Sequence, residues 1–208
     1  MATSIISTIF GSKKEHKALE RSVDSLKNIY TIIIALAIGN SINKLFSTNV
    51  TDYFSIDFAN KLLVLLAFFV TVVPFFHGMN RHLDECYINK NAKAQGFLLF
   101  DFLVFCFEAI IFVAFANRYT NGLEGYYILA LLLSIDAIWS VISHIIHYSI
   151  INTGTFKWVF INFFVLLIGC IMFWFKKGQN LIFLFSVLAI IRTVLDYIWC
   201  WKYYFPDK

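Results

Sequence analysis

Apolar residues along this chain gather into long runs separated by short polar stretches, and the runs have the length of a helix that crosses a hydrocarbon core, about 20 residues. They predict six spans: Leu26 to Phe46, Lys61 to Asn80, Gly96 to Asn117, Gly125 to Tyr148, Phe156 to Phe175 and Asn180 to Tyr204. The segment LLVLLAFFVTVV in the second run does not alternate apolar with polar positions, as a lipid-facing β-strand would, so the runs are read as helices and not as a barrel. Ahead of them, Leu19, Val23 and Leu26 recur three to four apart among charged residues. That spacing predicts a short amphipathic N-terminal helix. The expected class is therefore an all-α integral membrane protein: residues 1–27 an amphipathic segment, 28–204 the six-helix domain, 205–208 a tail.

Composition agrees. Of 208 residues 60% are hydrophobic and only 14% charged, with mean hydropathy +0.73. That leaves too little polar surface to cover a water-soluble globule. The first span is expected to act as its own insertion signal, because the N-terminal stretch lacks a signal-peptide core. Lysine and arginine on alternate sides of the six spans number eleven against five, with Lys13, Lys14, Lys17, Arg21, Lys27, Arg81, Lys90, Lys93, Lys157, Lys202 and Lys208 on the richer side. Basic loops resist translocation, so both termini are predicted cytoplasmic, against the opposing pair Lys176 and Lys177. The four cysteines, Cys86, Cys106, Cys170 and Cys200, lie singly, without the close pairs of metal or redox motifs. No basic face suits nucleic acid, and the partners expected are the lipid bilayer, further copies of the chain and a cytoplasmic protein. Asn49-Val50-Thr51 matches the glycosylation pattern on the predicted outer side.

Ionisable side chains inside a bilayer cost several kcal/mol unless they face protein or water, which makes each a functional candidate. Asp101 and Glu108 on the third span are seven apart, so they share a helical face about 10 Å apart along the axis. On the fourth, Asp136, Ser140, Ser143, His144 and His147 form a polar stripe on an otherwise apolar helix. Arg192 and Asp196 on the sixth are spaced to pair. Pro74 in the second span removes a backbone hydrogen bond one turn before His77, and Arg81 and Asp84 follow at its end. Most of these fall in the half nearer the termini, which predicts a polar vestibule open to the cytoplasm and closed by apolar side chains toward the outside. Asn40 and Asn43 read as hydrogen-bonding glue between helices.

Three functions fit that pattern. In the first, an oligomeric ion channel or transport protein lines its route with Asp101, Glu108, Asp136, Ser140, Ser143, His144 and His147, while Arg192, Asp196, His77, Arg81 and Asp84 serve as charge partners or gate. In the second, a membrane-embedded enzyme holds zinc or haem through His77, His144 and His147. No hydrolase, zincin or haem-attachment motif supports it, so catalytic residues stay unassigned and no cofactor is expected under the first reading. In the third, the chain is a signalling or effector subunit gated by a cytoplasmic partner. Six helices host all three, so the fold alone does not choose.

Overall fold

A computed structural model describes residues 2–47, 55–89, 95–119, 123–147, 153–175 and 180–205, with side chains from His16 onward except near segment ends. Every regular element is helical: α1 (Ala2–Ser47), α2 (Ile56–Leu83), α3 (Leu98–Arg118), α4 (Glu124–His147), α5 (Thr153–Phe175), α6 (Asn180–Trp199) and a single turn, α7 (Trp201–Tyr204). Six helices are long and apolar enough to cross a membrane. The charged segment expected as a separate amphipathic helix runs unbroken into the first span, giving α1 its 46 residues. The glycosylation-pattern residues 49–51 lie outside the described residues.

Expected boundaries shift most around α2. Ser55 caps its N-terminus, accepting from the Phe58 amide at 3.2 Å, so the last five residues of the expected connection, 56–60, are already helix. At the other end a π-helical turn, Asp84–Asn89, prolongs α2 through much of the expected polar loop. Pro74 sits inside α2 and leaves the Val70 carbonyl without its helical donor. The Thr193 hydroxyl from α6 supplies the missing bond at 2.9 Å. A neighbouring helix thus meets the demand that every backbone group be satisfied in hydrocarbon.

The helices close a ring in the order α1, α3, α4, α5, α6, α2, each packing on the next. α2 leans furthest into the middle, where Phe68 meets Phe112 and Phe115 of α3, and Phe75 meets Phe112 and Trp158. At the end away from the termini, Asn40 of α1 donates to the Asn117 side chain of α3 at 2.6 Å, and Tyr119 donates to the Ser41 carbonyl at 2.8 Å. Asn40 therefore acts as the expected interhelical glue, whereas Asn43 faces outward. The α3–α4 turn is tight enough that a Cβ at Gly125 would stand 3.0 Å from the Tyr119 Cα. Polarity is inverted relative to a water-soluble protein: Ile32, Leu103, Phe163 and Ile198 are exposed, while Asp101, Glu108, Asp136, Asn162, Arg192 and Asp196 are buried. An apolar exterior around a polar interior suits lipid as the surrounding solvent.

Candidate functional site

Two buried polar clusters occupy the interior, and they differ in how completely their atoms are partnered. The first is built on Asp101, near the start of α3. Its Oδ1 accepts from Trp139 Nε1 at 3.0 Å, and its Oδ2 from Tyr87 Oη at 2.7 Å and His82 Nε2 at 2.8 Å. A carboxylate with three donors from α2, its π-helical extension and α4 is saturated, and its evident role is to lock those elements together. His82, Tyr87 and Trp139 escaped the reading of the sequence, which singled out His77 instead. The available clue was that helical continuation past Asn80 places His82 on the buried face of α2 with Met79 and Phe75.

The second cluster crosses the middle of the bundle. Glu108 of α3 and Asp136 of α4 are both fully buried and lie close enough for their carboxyl groups to act on each other electrostatically. Asp136 Oδ2 accepts from Asn162 Nδ2 of α5 at 2.7 Å, and Asn162 Oδ1 in turn accepts from Arg192 Nε at 3.0 Å and Nη2 at 2.8 Å. Arg192 also lies over the rings of Phe75 and Trp158, 5.3 and 5.9 Å from their centroids. Its Nη1 is 3.8 Å from Asp196 Oδ2, too long for a hydrogen bond. Asp196 Oδ2 instead accepts from Trp158 Nε1 and Tyr204 Oη, both at 3.0 Å.

The α6 pair expected from i, i+4 spacing is therefore secondary. Arg192 reaches toward Asp136 by way of an amide on α5 that sequence reasoning passed over. Asn162 was nonetheless findable: it is the one strongly polar residue within the apolar run WVFINFFVLL. Unlike the Asp101 cluster, this one is left open. Among the described residues no donor reaches Glu108 Oε1, Asp136 Oδ1 or Asp196 Oδ1, and Arg192 Nη1, Ser140 Oγ and Ser143 Oγ have no hydrogen-bond partner.

Asp101 and Glu108 do share a face, but each belongs to a different cluster. Asp136, Ser140 and Ser143 are buried along one stripe of α4, with His144 half-buried beyond them; the side chain of His147 lies outside those described. The space that Ser140 and Ser143 border with His82, Trp139, Trp158 and Tyr204 is about 20 Å³. That is room for a single water. His77, Arg81 and Asp84 work at the end near the termini. His77 Nδ1 lies 3.3 Å from Tyr197 Oη, Arg81 Nε donates to the Tyr203 carbonyl at 3.0 Å, and Asp84 pairs with Lys27 of α1. They clasp α2 to α1 and to the C-terminal segment, and they stand apart from Arg192. Among the described residues no three His, Cys, Asp or Glu side chains converge as metal ligands would.

Just past the last span, burial and the neighbouring Asp196 push the Cys200 thiol up to about 12. The same two causes hold the Tyr204 hydroxyl well above its ordinary range, which keeps it a donor to Asp196.

An apolar cavity lies on the other side of Arg192. It measures about 440 Å³ and is walled by α4, α5 and α6 with Leu129, Leu133, Val165, Leu188 and other apolar side chains, and Arg192 is the ionised group on its lining. No family model, no curated protein and no solved structure matches this chain.

Proposed function

We propose that the chain is a multi-pass membrane transport protein, with both termini in the cytoplasm, that moves protons by way of the Glu108–Asp136 pair. The observation that carries this is the incompleteness of the central cluster. A network kept only for packing is saturated, as around Asp101, because each unmet buried group is costly. Around Glu108, Asp136 and Arg192 unmet atoms remain on groups that take up or repel protons, drawn from α3, α4 and α6. In a bundle with an apolar exterior, such groups are the pattern of a proton relay or ion route.

In this reading the carboxyl pair is the site that loads and releases a proton. Asn162 couples that event to Arg192, and the Ser140–Ser143 space holds the water that links the pair toward Tyr204 and the cytoplasmic end. Arg192, held between Asn162 and Asp196, is the positive barrier that keeps other cations from following. A bundle of six helices is thin, so the working unit is a homo-oligomer.

The test is proton flux into proteoliposomes loaded with a pH-sensitive dye and driven by a potassium diffusion potential. The wild-type protein should acidify the lumen, while Glu108→Gln and Asp136→Asn, folded by circular dichroism, should lower the rate at least about tenfold, as expected when a proton carrier is replaced by a neutral isostere. Equal flux in wild type and both variants, or none above empty liposomes in any, refutes the reading.

A further inference from the structure

Tyr30 lies on the buried face of α1 with Val23, Ile34, Ala37 and Ser41, which recur at helical spacing. Its ring stacks on Phe76 of α2 and meets Phe105 of α3 edge-on, with centroids 6.3 Å apart in both cases. Those neighbours account for the ring but not for the hydroxyl. The hydroxyl is buried and has no hydrogen-bond partner among the described residues, a costly state for a donor in an apolar bundle. A phenylalanine would pack between Phe76 and Phe105 without that cost.

The register of α1 against α3 sets Tyr30 at the level of the carboxyl pair. Both helices run in the same direction, and the hydrogen bond from Asn40 to Asn117 fixes their offset. Ten residues back along each, about 15 Å of axis, Tyr30 stands level with Phe107, one residue before Glu108. Phe105, the ring that Tyr30 meets, is three residues before Glu108 and so shares its face of α3. Tyr30 is close enough to Glu108 and Asp136 for both carboxyl groups to act on it electrostatically. Each of them keeps an oxygen that no donor reaches among the described residues, Glu108 Oε1 and Asp136 Oδ1. One donor without an acceptor thus shares a buried layer with two acceptors without donors. Lys27 pairs with Asp84 toward one end of α1 and Asn40 with Asn117 toward the other, which holds the helix on both sides of Tyr30.

We propose that Tyr30 is a positioning residue of the Glu108–Asp136 site: when the pair gives up its proton, the Tyr30 hydroxyl donates to the carboxylate oxygen left behind, directly or across one water, and steadies the charged form. This role rests on the reading of the pair as a proton site, though not on transport itself. Tyr30 keeps its own proton throughout, so it supplies a hydrogen bond and no relay step. The other groups that face the pair come from α5 and α6. Asn162 donates to Asp136, and Arg192 and Asp196 act on Asp136 with opposite sign. From α2, Tyr30 meets the uncharged ring of Phe76. Tyr30 therefore adds a donor on the α1 and α3 side, where Glu108 stands.

The experiment titrates the protein in lipid films with pH and follows, in the infrared, the carbonyl stretch of protonated buried carboxyl groups, assigned to the pair by its loss in Glu108→Gln and Asp136→Asn. Tyr30→Phe should raise the midpoint of that band by about one to two pH units, the tenfold to hundredfold gain in proton affinity expected when a hydrogen bond to the charged form is lost. Tyr126→Phe is the matched control. Its hydroxyl bonds to Ser186 and the Ile182 carbonyl, and it stands ten residues from Asp136 along α4, so the midpoint should not move. Ring-labelled tyrosine gives a second readout that does not depend on Tyr30→Phe folding. The C–O stretch of a tyrosine in wild-type protein should shift between the two ends of the titration, and Glu108→Gln with Asp136→Asn in one chain should abolish that shift. An unmoved midpoint in folded Tyr30→Phe overturns the proposal and leaves Tyr30 as a packing residue; so does an unshifted tyrosine band, or a carboxyl band that does not titrate. A raised midpoint in protein that carries no flux would uphold this site while refuting the transport reading, and flux with an unmoved midpoint would do the reverse.

Discussion

Replacing Asn162 by alanine tests the central bridge most directly. Its amide makes three hydrogen bonds, one to Asp136 and two to Arg192, all between helices and all to groups that carry charge. Interhelical hydrogen bonds in membrane proteins are worth about 0.6 kcal/mol on average and at most about 1.7, so the three together predict a loss of roughly 2–5 kcal/mol. The upper part of that range is favoured, because Asp136 and Arg192 would both remain buried with fewer partners. Reversible unfolding in mixed micelles with increasing dodecyl sulfate, followed by circular dichroism, measures the difference. Phe163→Ala, one residue along and 62% exposed, is the control and should change stability little. A loss below about 0.5 kcal/mol for Asn162→Ala would refute the bridge. So would strict additivity in a double-mutant cycle with Asp136→Asn, since contacting groups in one network couple.

Three further outcomes follow from the structure. Thr193→Val keeps the side-chain shape but leaves the Val70 carbonyl freed by Pro74 without a donor, so it should cost about 1 kcal/mol in the same unfolding assay, and Pro74→Ala in the same chain should recover most of that loss. Cys200 should resist a maleimide at pH 8 in the folded protein and react once the chain is unfolded, with mass spectrometry of the peptides as the readout. The Cys200 thiol ionises at about 12 when folded and near 8.5 when unfolded, so its protonated burial stabilises fully below about pH 8.5 and is lost progressively as pH rises toward 12. Cys200→Ser should flatten that alkaline decline.

The chain's own pattern determined the number, type and approximate limits of the six helices, because a run of about 20 apolar residues has only one economical backbone in hydrocarbon. It also determined that Asp101, Glu108, Asp136, Ser140, Ser143, Arg192 and Asp196 turn inward, since side chains so costly in lipid have no other place to go. The sequence did not determine their partners. Helical periodicity fixes neighbours along one helix, yet the strong contacts here run between helices: Asp101 to His82 rather than along α3 to Glu108, and Arg192 to Asn162 rather than along α6 to Asp196. The ring order decided them, by bringing α4, α5 and α6 together and setting Phe75 of α2 against Arg192. The order also explains why the polar stripe of α4 borders a space for one water. Trp139, Trp158 and Tyr204 turn inward and border that space. The wide cavity opened instead among apolar residues that carry no sequence signal, because a void depends on how facing helices fit and not on any one helix alone.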